Sequence, residues 1–170
     1  MSRNHSFIEI DSSRLNGRIQ DIAEIGATHD GGSNRQALSD EDAAARNLFI
    51  DWCQSSGCEV RVDSIGNIFA RRHGLDPTSD PILIGSHLDT QPTGGKFDGI
   101  YGVLAGLEVI DTLNDTHTQT QAPLEIVVWT NEEGCRFDTP SMGSSVWAGV
   151  LSQSEAHAQT DSQGQSVMSE

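Results

Sequence analysis

The chain is almost without lysine. Its ten basic residues are nine arginines and Lys96, set against 25 acidic residues, for a formal net charge of −15. So large a deficit of positive charge argues against nucleic acid and against anionic membranes as partners, because both are bound through basic side chains. It is compatible with a cation site. Long apolar runs are missing as well. Stretches such as Ile82-Leu83-Ile84 and Ile126 to Trp129 fall far short of the roughly 20 residues that span a bilayer. The opening Met1-Ser2-Arg3-Asn4-His5-Ser6 lacks the apolar centre of a secretory signal. Cysteine is scarce: Cys53, Cys58 and Cys135 make neither an even disulfide framework nor a Cys-x-x-Cys pair. A reduced, cytoplasmic setting is the simplest reading.

What is present suits one folded domain. A length of 170 residues is too short for two ordinary domains and long enough to bury a core. Helical spacing runs over residues 12–26 through Leu15, Ile19, Ile22 and Ala23, followed by a turn-rich stretch at 27–38. Ser39 is a good N-cap, with Asp40, Glu41 and Asp42 in the favourable first turn. The helix it opens carries Ala45, Leu48, Phe49, Trp52 and Cys53 on one stripe and stops at Gly57. Residues 58–63 and 68–72, joined through Gly66-Asn67, read as a hairpin or a short meander. Ile82 to Ser86 reads as a strand of the buried kind. Residues 100–113 then read as a helix with Leu104, Leu107 and Ile110 inward, and 124–130 as a second buried strand. A strand–helix–strand order implies a parallel pair with a right-handed crossover, hence an α/β sandwich. Gly102 and Gly106 would let the helix lie close on the sheet. Ser152 to Glu170, mostly Ser, Gln, Ala and acid, reads on composition alone as a frayed polar tail.

Three chemical features fall at strand ends: Gly85-Ser86-His87-Leu88-Asp89-Thr90, Gly94-Gly95-Lys96-Phe97-Asp98-Gly99 and Asn131-Glu132-Glu133-Gly134. If the strands are parallel, all three face one crevice beyond their carboxyl ends, where α/β sheets place their sites. His87, Asp98 and Glu133 supply an imidazole and two carboxylates, a donor set for zinc, manganese or cobalt. Asp89, two residues beyond His87, could accept the other imidazole N–H and fix the ring. The Glu132–Glu133 pair allows one carboxylate to bind metal and the other to move a proton. Each piece alone has a plainer reading: a solvated acidic pair, a helix-capping Asp98, structural histidines at 5, 29, 73, 117 and 157. The glycine-rich 94–99 segment fits neither phosphate-loop pattern. Cys135 has no evident histidine partner, and Gly143-Ser144-Ser145 does not fit the serine-hydrolase elbow.

Together, His-Leu-Asp-Thr at 87–90, Gly-Gly-Lys-Phe-Asp-Gly at 94–99, Gly-Val-Leu-Ala-Gly-Leu-Glu at 102–108 and Asn-Glu-Glu-Gly-Cys-Arg-Phe at 131–137 resemble one group. It is the dinuclear metal amidohydrolases of the N-carbamoyl-L-amino-acid hydrolase, β-ureidopropionase and allantoate amidohydrolase type, relatives of aminoacylase and the carboxypeptidase-like zinc exopeptidases. The likeness runs over residues 12–170 and takes in Gly31-Gly32, Arg35, Arg46, Gly66-Asn67 and Gly143-Ser144. Eight residues separate Asp89 from Asp98, the short link of the carbamoylase and allantoate enzymes; the exopeptidases insert a longer one.

The resemblance implies a three-layer α/β sandwich of the zinc-exopeptidase kind with a mixed, largely parallel sheet, incomplete at the C-terminus. It also implies two divalent metal ions (zinc, or manganese or cobalt) in the intact enzyme. His87 would be a terminal ligand, Asp98 the bridging carboxylate, Glu133 a ligand of the second metal, Glu132 the general base and Asp89 the carboxylate behind His87. The implied substrate is a small ureido or carbamoyl compound, and the full-length form would be a homodimer. The chain reads as the N-terminal part of a catalytic domain, without the lid and dimerisation domain and the downstream ligands, and so of low or no activity alone. The alternatives are a zinc exopeptidase or aminoacylase relative, or an inactive metal-binding domain.

Overall fold

The computed structural model describes residues 8–170; His5 and the polar stretch 1–6 lie outside the described residues. Helix α1 (Ser12–Glu24) opens on Asp11, whose carboxylate accepts the N–H groups of Ser13 and Arg14. It buries the Leu15, Ile19, Ile22 and Ala23 face. Helix α2 (Asp40–Ser55) opens on Ser39, whose hydroxyl accepts the Asp42 N–H at 3.3 Å, with three acids in its first turn. This is the expected cap, and Gly57 follows the helix in the left-handed region at φ +80°, as a helix stop requires.

Strands β1 (Glu59–Val62) and β2 (Ile68–Arg72) form the expected antiparallel hairpin. Strand β3 (Ile82–His87) leads through the glycine-rich loop into helix α3 (Ile100–Asp115), which returns to strand β4 (Leu124–Trp129). The sheet order is β1-β2-β4-β3, with β3 parallel to β4 and the other two pairings antiparallel. The sheet is therefore mixed, with its parallel part confined to the β3–β4 pair. α3 lies across β3 and β4, and α1 packs on α3. Ala45, Phe49, Ile68, Leu104, Leu107 and Ile126 belong to one buried cluster between helices and sheet. Gly102 and Gly106 do sit where a β-carbon would press on Ser86 and Ile84, at 3.1 Å in each case.

Two expectations need correction. β3 is not a buried strand in this chain: among the described residues it is the sheet edge, with Ile82 56% and Leu83 39% exposed. An apolar run reads as buried on both sides only if the sheet continues past it, which a local pattern cannot encode. Nor is the 152–170 segment frayed. Helix α4 (Met142–Trp147) is followed by α5 (Gln153–His157), closed by a reciprocal capping box between Ser152 and Glu155. A 3₁₀ turn (Val167–Ser169) then tucks Val167 beside Ile65, Phe137, Met142 and Ala156 in a second core. A few apolar residues suffice to dock a polar segment, and composition averages them away.

One ion pair joins α1 to α3. Arg14 grips Glu108 through Nε and Nη2 at 2.8 and 2.9 Å, while the Asp11 N–H and the Thr112 hydroxyl donate to the same carboxylate. Burial opposes ionisation of Glu108, but the Arg14, Asp11 and Thr112 hydrogen bonds outweigh it and hold its pKa below the usual carboxylate value. A depressed folded-state pKa contributes stability above the unfolded value of about 4.3, and that contribution is lost as pH falls through the folded value. Glu108→Gln should therefore lower the thermal midpoint at pH 7 and narrow the gap to the parent as pH drops below about 4.3. A constant gap from pH 7 to pH 3 would show that the charge on Glu108 is not what stabilises this contact.

Candidate active site

Because β3 and β4 are parallel, the segments that leave their carboxyl ends emerge side by side. His87 ends β3 and is 5% exposed. Its Nδ1 lies 2.8 Å from the main-chain oxygen of Asp89. A carbonyl oxygen only accepts, so Nδ1 carries a proton, and in the neutral form of the ring the lone pair is on Nε2. That nitrogen faces Glu132 Oε2 at 3.4 Å.

The Asp89 carboxylate does something other than hold the imidazole, whose Nδ1 is 3.8 Å from its Oδ1. It crosses to the turn after β4 and accepts the N–H groups of Glu132 at 3.3 Å and Glu133 at 3.1 Å. Asp89 is 1% exposed. Burial, reinforced by Asp42, raises its pKa against the opposing pull of His87 and of these two amides.

The turn is braced from behind. Asn131 takes the left-handed region at φ +49°, which asparagine tolerates better than most residues. Its amide donates to the carbonyls of Phe137 and Thr139, each at 3.0 Å. Buried Asn67 accepts the Thr130 N–H and donates to the Gly143 carbonyl and the Asp63 carboxylate. A β-carbon at Gly143 would lie on the Asn67 oxygen, which explains the small residue there.

The third segment arrives through Gly99. Its φ is +68°, and a β-carbon there would come within 2.5–2.6 Å of three His87 ring atoms. Gly99 thus carries the chain against the imidazole face, one residue after Asp98. Gly99 itself is the N-cap of α3, with no side-chain capping bond, so the exposed Asp98 carboxylate is not consumed in starting the helix.

The structure brings His87, Asp89 and Glu132 into direct contact. Glu133 turns to Gln91, whose amide donates to it at 3.0 Å. Among the described residues no three His, Cys, Asp or Glu side chains converge closely enough to count as a metal cluster. The donors nonetheless suit a cation: an imidazole lone pair and a carboxylate face each other, and only positive charge between them or on the ring makes that favourable. Cys135 is exposed, and the slight burial it has, together with the negative charges of Glu133 and Asp89, raises its pKa, which disfavours a nucleophilic thiolate. His29 and His73 lie at the surface, and His157 bonds the Ser64 carbonyl. Reading the residues singly gives no site role to Gln91 or Gly99, and gives Asn67 only its place in the turn between β1 and β2. The Asp-Gly step before a helix was the one local hint for Gly99.

Comparison with known proteins gives the chain's relatives. Residues 83–163 match the family described as Peptidase family M20/M25/M40. An N-carbamoyl-L-amino-acid amidohydrolase of Rhizobium meliloti is 46% identical over 92% of this chain and 38% of its own length. An allantoate amidohydrolase of Bacillus subtilis is 37% identical over 88% of this chain and 36% of its own. The crystal structure of a hydantoinase/carbamoylase family amidase from Burkholderia ambifaria superposes with a TM-score of 0.94 at 54% identity, covering 95% of this chain and 40% of that one. The chain thus spans well under half the length of the relatives it matches. By its motif-bearing strands, its sheet and these likenesses, it belongs to the M20 family, among homologues that are N-carbamoyl-L-amino-acid and allantoate amidohydrolases.

Proposed function

We propose that these residues form the metal-holding and proton-moving part of a hydrolase of non-peptide C–N bonds, acting on N-carbamoyl-L-amino acids, ureidopropionate or allantoate. The observation that carries this reading is the His87–Glu132 pairing at 3.4 Å, on a turn whose amides Asp89 holds. His87 through Nε2, Asp98 and Glu133 would hold divalent cations, with zinc, manganese and cobalt all suited to nitrogen and carboxylate donors. Such a cation lowers the pKa of water toward about 7 and polarises a carbonyl oxygen. Glu132 accepts the proton of the attacking water at its carboxylate. The hydroxide adds to the ureido carbon, the C–N bond breaks, and Glu132 returns the proton to the leaving nitrogen. For a carbamoyl amino acid the net reaction takes in one water: C–N cleavage leaves a carbamic acid, which loses carbon dioxide without further water, so the products are ammonia, carbon dioxide and the free amino acid.

Two measurements test the reading. The 170-residue chain, titrated with cobalt or zinc in a calorimeter, should bind weakly and lose that binding in His87→Ala; alone it should release little or no ammonia. A chimera in which this chain replaces the matching part of the Rhizobium meliloti relative should hydrolyse an N-carbamoyl amino acid only with metal added. A folded chimera that is metal-loaded and inert, or cobalt binding untouched by His87→Ala, would refute it.

A further inference from the structure

Arg35 is the largest charged side chain sealed inside the protein, with no exposed surface among the described residues. Among the described residues no carboxylate touches its guanidinium. Nε donates to the Leu88 carbonyl at 2.8 Å, and Nη1 to the carbonyls of Ile25 at 2.7 Å and Ile22 at 3.2 Å and to the Ser33 hydroxyl at 3.1 Å. Nη2 has no partner among the described residues. A buried charge without an ion pair is costly, and an apolar side chain of similar volume often stabilises a core better. Burial accordingly lowers the Arg35 pKa, against the pull of Asp42 and Asp89. Stability is a poor reason for an arginine here.

Geometry is a better one. The Arg35 main chain also pairs with Thr90: its N–H donates to Thr90 Oγ1 at 2.8 Å, and its carbonyl accepts the Thr90 N–H at 2.7 Å. Asp89 is therefore anchored on both sides, at Leu88 and at Thr90, by one residue. From Asp89 the geometry passes onward: its carbonyl takes His87 Nδ1, and its carboxylate takes the amides of Glu132 and Glu133.

We propose that Arg35 is a positioning residue of the site, whose planar fork fixes the Leu88–Thr90 segment and, through Asp89, the aim of the His87 lone pair and of the glutamate turn. A lysine cannot reproduce this, because a single ammonium cannot hold the carbonyls at Leu88 and Ile25 in a planar fork at once.

The proposal's metal readout rests on the function proposed above; its second readout does not. In the 170-residue chain, ¹⁵N long-range correlation spectra should show His87 as one tautomer, protonated on Nδ1. Arg35→Lys should fold, show a mixture of both tautomers and lose at least tenfold in cobalt affinity. Ile110→Ala, a core truncation toward the far end of α3, supplies an unstable variant with the site intact and should leave both readouts unchanged. Arg35→Lys with a single Nδ1 tautomer and parental cobalt affinity would overturn the proposal, as would an equal loss in Ile110→Ala. Should Arg35→Lys fail to fold, Thr90→Val decides: it removes an anchor from the other side, a mixed tautomer supports the proposal, and an unchanged one overturns it. Cobalt binding that survives His87→Ala unchanged strikes at the metal reading alone, and the tautomer result then judges Arg35.

Discussion

Glu132→Gln in the chimera should reduce turnover by about 10²–10⁴-fold, the usual contribution of a positioned general base, while metal content stays at the parental level. Glutamine keeps the shape and the contact with His87 but cannot accept a proton. Because Glu132 rests on amides held by Asp89, the turn itself should not move. The competing outcome is specific. Here it is Glu132, not Glu133, whose carboxylate faces the imidazole, while Glu133 is engaged by Gln91. Loss of metal together with activity would exchange the two roles, with Glu132 the ligand and Glu133 the base. Metal analysis after dialysis, run beside the ammonia assay, separates these results.

Gly99→Ala should do nearly as much damage by a different route. The backbone there lies in the left-handed region, where a non-glycine residue costs about 1–2 kcal/mol, a fall of roughly 2–8 °C in the thermal midpoint of a chain this size. The new methyl would also lie 2.5–2.6 Å from the His87 ring. A packed imidazole cannot absorb that in place, so the ring must swing and its lone pair lose its aim. Helix content should stay near that of the parent, since α3 begins only at the next residue. Cobalt affinity should fall more than tenfold. A lower midpoint with unchanged cobalt binding would mean that the ring accommodates the methyl without turning Nε2 away.

Local signals were legible wherever they were complete in themselves. Ser39 with its three following acids caps α2, the 58–72 hairpin closes through Gly66-Asn67, and the two glycines of α3 meet the sheet. The meeting of three distant segments at one rim followed from the strand–helix–strand order, because a parallel pair sends both carboxyl ends the same way. What stayed hidden depended on pairings across the chain. Whether Ile82 and Leu83 are covered depends on sheet order, not on their own pattern. A buried arginine such as Arg35 looks like any surface arginine until its carbonyl partners, 10 to 53 residues away, are brought round it. The use of Asp89 was half visible: its nearness to His87 follows from a two-residue spacing, whereas its grip on the Glu132 and Glu133 amides spans more than 40 residues.

The place of β3 at the rim of the sheet has a consequence for how this centre is built. A strand inside a sheet is steadied from left and right; among the described residues, the one that ends in His87 has a ladder on a single flank, toward β4. Its tip would be free to yaw outward if hydrogen bonding within the sheet were its only tether. The missing lateral support is supplied at the tip, by cross-ties from elements remote in the chain. Substitutions in the few residues that moor its end should therefore disturb the aim of His87 more than substitutions elsewhere along the strand.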